Sequence, residues 1–231
     1  MLRRAKEKRA IVRGSGIDYD ERDAWIPNIT RTQASPSCFD GVVVSRSNAG
    51  AFPSLEDLDL PPTAAEPIPA RTMEYVRVSR TLLSASPEVH FIDAYLDPCD
   101  ADRKVVLQEL LRAASTGRCD IAHVWVSNNR LKRSSIETID ALRRIAVDVG
   151  FTTPRRMYLH PFTDAGRSVK VHDRYLLSLY GAIQFEHGFQ ELSGRRTAKV
   201  SPEAPNSHLL LVKTFLEGDH DMDVQTSEIE F

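Results

Sequence analysis

The sequence predicts an α/β protein built on a mixed β-sheet flanked by helices. Two observations lead to this fold class. Apolar segments of strand length alternate with amphipathic helices between residues 71 and 162, which is typical of parallel strands joined by helical crossovers. Several further strand-like segments then follow with short connections, which adds antiparallel strands to the same sheet.

The first elements can be placed from hydrophobic periodicity and capping residues. A helix is predicted over 72–86, and residues 89–96 are a nearly continuous apolar run, typical of a buried strand. Asp100 or Asp102 can cap the next helix, because short polar side chains accept from the first free backbone N–H groups. The apolar face of that helix consists of Val106, Leu107, Leu110, Leu111 and Ala114.

Residues 121–126 are predicted to form a second buried strand, and a helix follows it. Ser134 and Glu137 have the spacing of a capping box at the start of that helix. Its apolar positions are Ile136, Ile139, Leu142, Ile145, Ala146 and Val149. Four further strands are predicted, over residues 155–162, 170–179, 181–192 and 208–217.

The fourth and fifth strands are close enough in sequence to form a hairpin. A two-residue loop at 180–181 would pair Leu179 with Ala182 and place Arg174 opposite His187. Because side chains alternate along a strand, a change of one residue in the loop would alter every one of these pairs.

In this register three polar side chains, His172, Arg174 and His187, share one face of the hairpin. A guanidinium group binds phosphate oxygens through its paired donors. A histidine beside it is able to act as a nucleophile or as a proton donor. The sequence therefore predicts a phosphate-handling site at this hairpin.

Charge is unevenly distributed, although the formal net charge is only −2. Residues 103–174 hold 14 Lys/Arg against seven Asp/Glu, which leaves an excess of seven positive charges. This middle region is able to face a polyanion, or it forms an ordinary solvated surface.

A basic loop after the second strand is the predicted contact for a nucleic-acid or phosphate backbone. It contains Asn128, Arg130, Lys132 and Arg133, at the carboxyl end of a strand, where α/β sheets usually bind ligands. The alternative interpretation is a solvated helix entry.

The three cysteines are widely spaced, and no metal site, disulfide framework or cofactor is predicted from them. His90 and His123 lie in apolar strands and are expected to be hydrogen-bonded core residues. Without a signal peptide or a long apolar span, the chain is expected to be cytoplasmic, with no membrane span.

Three regions are predicted. Residues 1–70 are a basic and proline-rich arm that orders against a partner, residues 71–220 are the compact domain, and residues 221–231 are an acidic tail. We expect the arm to mediate a homodimer or a hetero-oligomeric complex.

The compact domain resembles one half of the phospholipase D-like fold, whose motif is H-x-K-x4-D followed by a glycine-serine step on the next strand. The resemblance rests on "HDR" at 172–174 before an apolar strand and on "IDAYLDP" at 92–98 before a helix. It covers roughly residues 75–220. It implies metal-independent phosphodiester chemistry through a phosphohistidine, with two motifs meeting across a dimer axis.

By this resemblance His172 matches the nucleophile and Arg174 the lysine, while His187 is the candidate proton donor within the chain. The aspartate position falls on Leu179, and the glycine-serine step falls near 188–189, so the acid and the hydroxyl are absent. The resemblance also implies a substrate contact near His160, at a strand end.

Three functions remain open from the sequence. The first is a degenerate phospholipase D-like module that binds DNA or RNA or assembles a larger complex, in bacterial defence or DNA processing. The second is a metal-independent phosphodiesterase or nuclease. The third is a protein-binding scaffold in which His172 and Arg174 pair with acids such as Asp93 or Glu186.

Overall fold

The computed structural model describes residues 65–163, 173–194 and 196–231. The arm up to residue 64 and the predicted nucleophile His172 lie outside the described residues. Within them, nine strands form one mixed sheet that helices flank, which confirms the predicted fold class.

The strands are β1 (Glu66–Pro69), β2 (Glu88–Ile92), β3 (Ile121–Ser127), β4 (Arg156–Thr163), β5 (Tyr175–Ser178), β6 (Gly181–Phe185), β7 (Thr197–Pro202), β8 (Asp223–Val224) and β9 (Ser227–Glu228). The helices are α1 (Thr72–Ala85), α2 (Ala101–Ser115), α3 (Ser135–Asp148) and α4 (Pro205–Leu211), and a π-helical turn covers Val212–Leu216.

The sheet has the order β1-β7-β6-β5-β2-β3-β4-β8, with β9 also pairing with β4. Strands β2, β3 and β4 are parallel and are connected through α2 and α3. The other pairs are antiparallel. The carboxyl ends of β2 and β3 therefore lie side by side, and the loops that leave them are neighbours.

The two faces of the sheet are covered differently. On one face α1, α2 and α3 pack against alternate strand residues such as Phe91 and Val124 to form the larger core. On the other face the π-helical turn packs Val212 and Phe215 against the sheet, around Trp125.

The predicted helices are confirmed, and so are their capping residues. The Asp100 side chain accepts from the backbone N–H of Asp102 at the start of α2. Ser134 and Glu137 form the predicted capping box at the start of α3. All five residues of the predicted apolar face of α2 are fully buried. In α3, however, Ile136 is 73% exposed, because it sits in the first turn, beyond the edge of the core.

The prediction of a strand over residues 208–217 is wrong. The segment is α4 followed by the π-helical turn, and its apolar residues are divided between the two sides of the helix. Val212 and Phe215, three residues apart, face the core, whereas Leu209 and Leu210 are exposed. A four-residue apolar run cannot distinguish a helix from a buried strand by periodicity alone.

The predicted hairpin register is also wrong. The loop consists of residues 179–180, so that Ser178 pairs with Gly181 and Leu177 pairs with Ala182. Arg174 consequently lies opposite Phe185, whose N–H donates to the Arg174 carbonyl, and not opposite His187. The position that would hold the motif aspartate, Leu179, is in the exposed turn.

Four strands had not been predicted, β1, β7, β8 and β9, and the first two of them lie at one end of the sheet. Strand β7 pairs with β6, and β1 emerges from the proline-rich segment to pair with β7. An edge strand tolerates Pro67 and Pro69 because it needs ladder hydrogen bonds on one side only.

The acidic carboxyl-terminal segment lies along β4. Strands β8 and β9 pair with opposite ends of β4, and Met222 and Ile229 are buried. Among the described residues, no helix is long and apolar enough to cross a membrane.

Candidate phosphate-binding edge and a buried histidine cluster

Two guanidinium groups meet over one aromatic ring at the carboxyl edge of the parallel strands. The Arg130 guanidinium carbon lies 4.9 Å from the centroid of the Tyr95 ring, and that of Arg174 lies 5.0 Å from it. Tyr95 follows β2, Arg130 follows β3 and Arg174 precedes β5, so three neighbouring strands contribute to this contact. We call Tyr95, Asn128, Arg130, Lys132, Arg133 and Arg174 the basic edge.

Beneath this contact, a buried carboxylate anchors Arg174. Asp93 accepts the backbone N–H groups of Tyr95 at 2.9 Å and Phe189 at 3.2 Å, and its Oδ1 lies 3.8 Å from Nε of Arg174. Nη1 of Arg174 also donates to the carbonyl of Glu186 at 2.9 Å. Burial raises the pKa of Asp93, although the hydrogen bonds from the Tyr95 and Phe189 backbones and the charge of Arg174 oppose the rise.

Arg174 therefore has two structural partners, and one of them is an acid that the scaffold interpretation had suggested. Its side chain is still about a quarter exposed, and its guanidinium carbon lies over the ring of Tyr95. The backbone at Gly188, whose φ is +70°, lies close to the carboxylate of Asp93. A Cβ at Gly188 would overlap Asp93 Oδ2, so only glycine fits there.

The predicted basic loop lies beside this pair. Asn128 donates from Nδ2 to Thr163 Oγ1 at 3.2 Å, which links the loop to the end of β4. Arg133 lies 3.7 Å from Glu137, and both side chains are about half exposed. Arg130 and Lys132 have no carboxylate partner among the described residues, so their charges are directed to solvent.

The other predicted site residues lie elsewhere. His187 is in the turn after β6, 45% exposed and 3.9 Å from Glu186 of its own turn. His160 is buried on the second face of the sheet, away from the basic edge, and hydrogen-bonds through both of its ring nitrogens. The structure thus brings Arg174 to the basic loop, which the sequence analysis had treated as a separate site.

His160 belongs to a cluster of three histidines on adjacent parallel strands. His90 and His123 are cross-strand neighbours whose rings stack at 4.2 Å, and His123 Nδ1 lies 2.8 Å from His160 Nε2. Oε1 of Glu88 lies 3.1 Å from His90 Nε2 and 3.0 Å from His123 Nε2. His160 Nδ1 lies 3.0 Å from Thr226 Oγ1.

Burial keeps these imidazoles neutral. Desolvation lowers the pKa of His90, lowers that of His123 to about 3 and lowers that of His160 to about 4. The pKa of Glu88 is lowered, mainly by its hydrogen bond to His90. His90 and His123 are hydrogen-bonded in the core, as expected. The exception is Nε2 of His123, which is buried without a well-aligned hydrogen bond in the described structure.

Glu88, His90 and His123 place three potential metal-ligating atoms within 4.8 Å of one another. Two features oppose a metal ion there. The indole N–H of Trp125 donates to Nδ1 of His90, so the proton of neutral His90 is on Nε2, the atom that would have to coordinate. The rings of His90 and His123 also lie in nearly parallel planes, inclined by only 9°, so a single ion cannot lie in the plane of both rings.

Sequence reasoning missed two parts of this arrangement. Tyr95 lies inside the quoted "IDAYLDP" segment, directly after a strand, but its role requires Arg130 and Arg174 to converge on it. The histidine cluster follows from alternation within β2, β3 and β4, once the parallel register aligns His90 with His123.

No protein-family model matches the sequence, and no curated protein matches it. Among solved structures, the chain is weakly similar to TrmBL2, an archaeal chromatin protein with a novel mode of DNA binding. The two chains are 8% identical with a TM-score of 0.35, and the match covers 69% of this chain and 54% of TrmBL2. This chain therefore spans about half the length of that protein, and so weak a likeness carries no functional argument.

Proposed function

We propose that this protein binds the phosphodiester backbone of nucleic acid through the basic edge. The observation that carries the proposal is the convergence of Arg130 and Arg174 on Tyr95, with Arg130 free of any carboxylate among the described residues. Guanidinium groups offer paired donors that match phosphate oxygens, and an aromatic ring holds them in place without neutralising them.

The surrounding loop extends this positive surface. Lys132 and Arg133 follow Arg130 along the chain, and the amide of Asn128 adds a polar group beside Thr163. Because the formal net charge of the chain is −2, attraction to a polyanion has to come from a local patch such as this one.

The phospholipase D-like resemblance remains part of the proposal, as a module that has lost catalytic residues. Support comes from Arg174, which occupies the position of the motif lysine but is held by Asp93 and by the carbonyl of Glu186. An arginine fixed in this way is suited to positioning a phosphate. With Leu179 in an exposed turn, no acid stands at the family's aspartate position, which favours binding over catalysis.

The binding test compares the wild type with a triple variant of the basic edge, Arg130→Gln, Lys132→Gln and Arg133→Gln. Fluorescence anisotropy is measured with labelled single-stranded and duplex DNA and with RNA of about 20 nucleotides. Affinity is expected to fall, and the slope of log Kobs against log salt to shrink by about 2. The matched control neutralises three exposed arginines at the opposite end of the parallel strands, Arg112, Arg118 and Arg156.

The control variant is expected to bind as the wild type does. Equal losses of affinity in both triple variants would show that the basic edge is not a specific binding surface and that overall positive charge sets the affinity. Cleavage of the DNA in excess EDTA, lost in His172→Ala, would instead support the phosphodiesterase, with Arg174 and His187 as its partners. Absence of nucleic-acid binding at low salt would favour the protein-binding scaffold. That function predicts co-purifying partner proteins that are lost when residues 1–70 are deleted.

A further inference from the structure

A cleft lies between the loops that follow β2 and β3, directly beside the basic edge. Its volume is about 380 Å³, and its lining residues are Asp97, Cys99, Asp100, Lys132 and Arg133. Sites for small ligands have volumes of roughly 300 to 1,000 Å³. The cleft therefore has room for one nucleotide-sized group, in the crevice between adjacent strand ends where α/β sheets commonly bind ligands.

The wall of the cleft contains two carboxylates and two cations, and these four side chains differ in their partners. Asp97 accepts the backbone N–H of Cys99 at 2.9 Å, which holds it within its own turn. Asp100 caps α2 and pairs with Arg103 at 2.9 Å. Asp100 is therefore paired with a cation of its own helix, and Asp97 is held in its turn by a neutral donor. Lys132 has no ion-pair partner among the described residues.

Arg133 is the second available cation of the cleft. Its contact with Glu137 is long, 3.7 Å, and half exposed, so solvent weakens it and little free energy is lost when the guanidinium turns to a ligand. Two neighbouring cations on one wall match a group that carries close to two negative charges.

We propose that this cleft receives the terminal phosphate of a nucleic-acid strand, so that the protein recognises strand ends. This inference rests on the proposed function, because the basic edge would hold the backbone that leads to the cleft. A terminal phosphomonoester carries about −1.5 to −2 charges at neutral pH, whereas an internal phosphodiester carries one. Lys132 and Arg133 favour the monoester on this ground, and the size of the cleft fits a single terminal residue.

The test uses single-stranded DNA of one sequence in four forms: circular, linear without phosphate, linear with a 5′-phosphate and linear with a 3′-phosphate. One phosphorylated form is expected to bind about tenfold more tightly than the circle, the scale of a charge-assisted contact. The two phosphorylated forms distinguish which end enters.

Two variants locate the effect. Lys132→Gln is expected to reduce the preference for the phosphorylated end. Cys99→Phe, which fills the cleft from its wall, is expected to abolish that preference and leave the affinity for the circle unchanged. Arg118→Gln removes a distant charge, so it is expected to behave as the wild type.

Each remaining outcome decides between the two proposals. Equal affinity for the circle and for every linear form overturns end recognition and leaves backbone binding intact. Absence of binding to any form overturns backbone binding itself. If deoxyadenosine monophosphate displaces the phosphorylated strand at an equal concentration, the cleft is a mononucleotide site and end recognition is wrong.

Discussion

The indole N–H of Trp125 donates to Nδ1 of His90 across 3.1 Å, inside the sheet face that the π-helical turn covers. An indole is a donor only, so His90 accepts at Nδ1 and carries its proton on Nε2, directed at Glu88. One hydrogen bond thus fixes the tautomer of the first histidine in the cluster.

Replacing the indole leaves a buried acceptor unsatisfied. Trp125→Phe is expected to lower the free energy of unfolding by about 1–3 kcal/mol for the lost donor, in addition to the packing loss. Urea denaturation measures it. A double-mutant cycle with His90→Phe separates the two contributions, since the hydrogen bond predicts a coupling of about 0.5–3 kcal/mol. Strict additivity of the two substitutions would refute the contact.

The histidine cluster makes the protein sensitive to acid. His123 and His160 have pKa values of about 3 and about 4 in the folded protein, against an ordinary value of 6.5. The unfolded chain therefore binds more protons than the folded one below pH 6.5. The stabilisation is complete above pH 6.5 and is lost as the pH falls toward these folded values, by up to ~1.4 kcal/mol per pH unit for each group.

Thermal or urea denaturation between pH 7.5 and pH 4.5 measures this loss. His123→Gln is expected to be less stable at pH 7.5 but to lose less stability per pH unit. His187→Gln, a substitution at an exposed histidine, is the matched control and is expected to follow the wild-type curve. A wild-type curve that stays flat down to pH 5 would contradict neutral, buried imidazoles.

A comparison of Gly188 with Gly194 distinguishes the energetic cost of steric overlap from that of backbone strain. Its φ of +70° disfavours any side chain, and a Cβ would meet the buried Asp93 carboxylate. Gly188→Ala is therefore expected to destabilise by at least ~2 kcal/mol more than Gly194→Ala, which has a φ of +78° but open space around it. Equal effects in urea denaturation would mean that Asp93 does not hold its position beneath Arg174.

The aromatic face of Tyr95, and not its hydroxyl group, is expected to contribute to nucleic-acid affinity. Tyr95→Phe keeps the surface on which Arg130 and Arg174 lie, so binding stays at the wild-type level. Tyr95→Leu removes it and leaves Arg130 without the ring, whereas Arg174 keeps Asp93 and the Glu186 carbonyl. The expected loss is about 0.5–2 kcal/mol in binding free energy measured by anisotropy. Equal affinities for the Leu and Phe variants would show that the ring plays no part.

Much of the fold could be predicted because its parallel half has regular signals. Capping residues and helical periodicity gave α2 and α3, and short apolar runs gave β2 and β3. The carboxyl-terminal half was harder. Residues 209–212 are four consecutive apolar positions, which suits a helix and a strand equally, and β1 contains prolines that ordinarily argue against a strand.

The candidate site was predicted in parts and not as a whole. The loop at 128–133 and Arg174 were both identified, but on chemical grounds that treated them as separate sites. Their convergence on Tyr95 depends on β5 pairing with β2, a long-range contact that no local pattern encodes. The hairpin register failed because residues 179–180 form the turn, one position earlier than the sequence suggested.

The pairing of β4 with β8 and β9 bears on the order of folding during synthesis. Tyr158 lies opposite Glu228, so one edge of β4 stays unpaired until residues near the carboxyl end have been made. Until then the nascent chain presents an unsatisfied strand edge beside the histidine cluster, open to mispairing with other chains. A truncated chain that ends at residue 221 would hold the parallel core without β8 and β9, a species in which that edge can be probed directly.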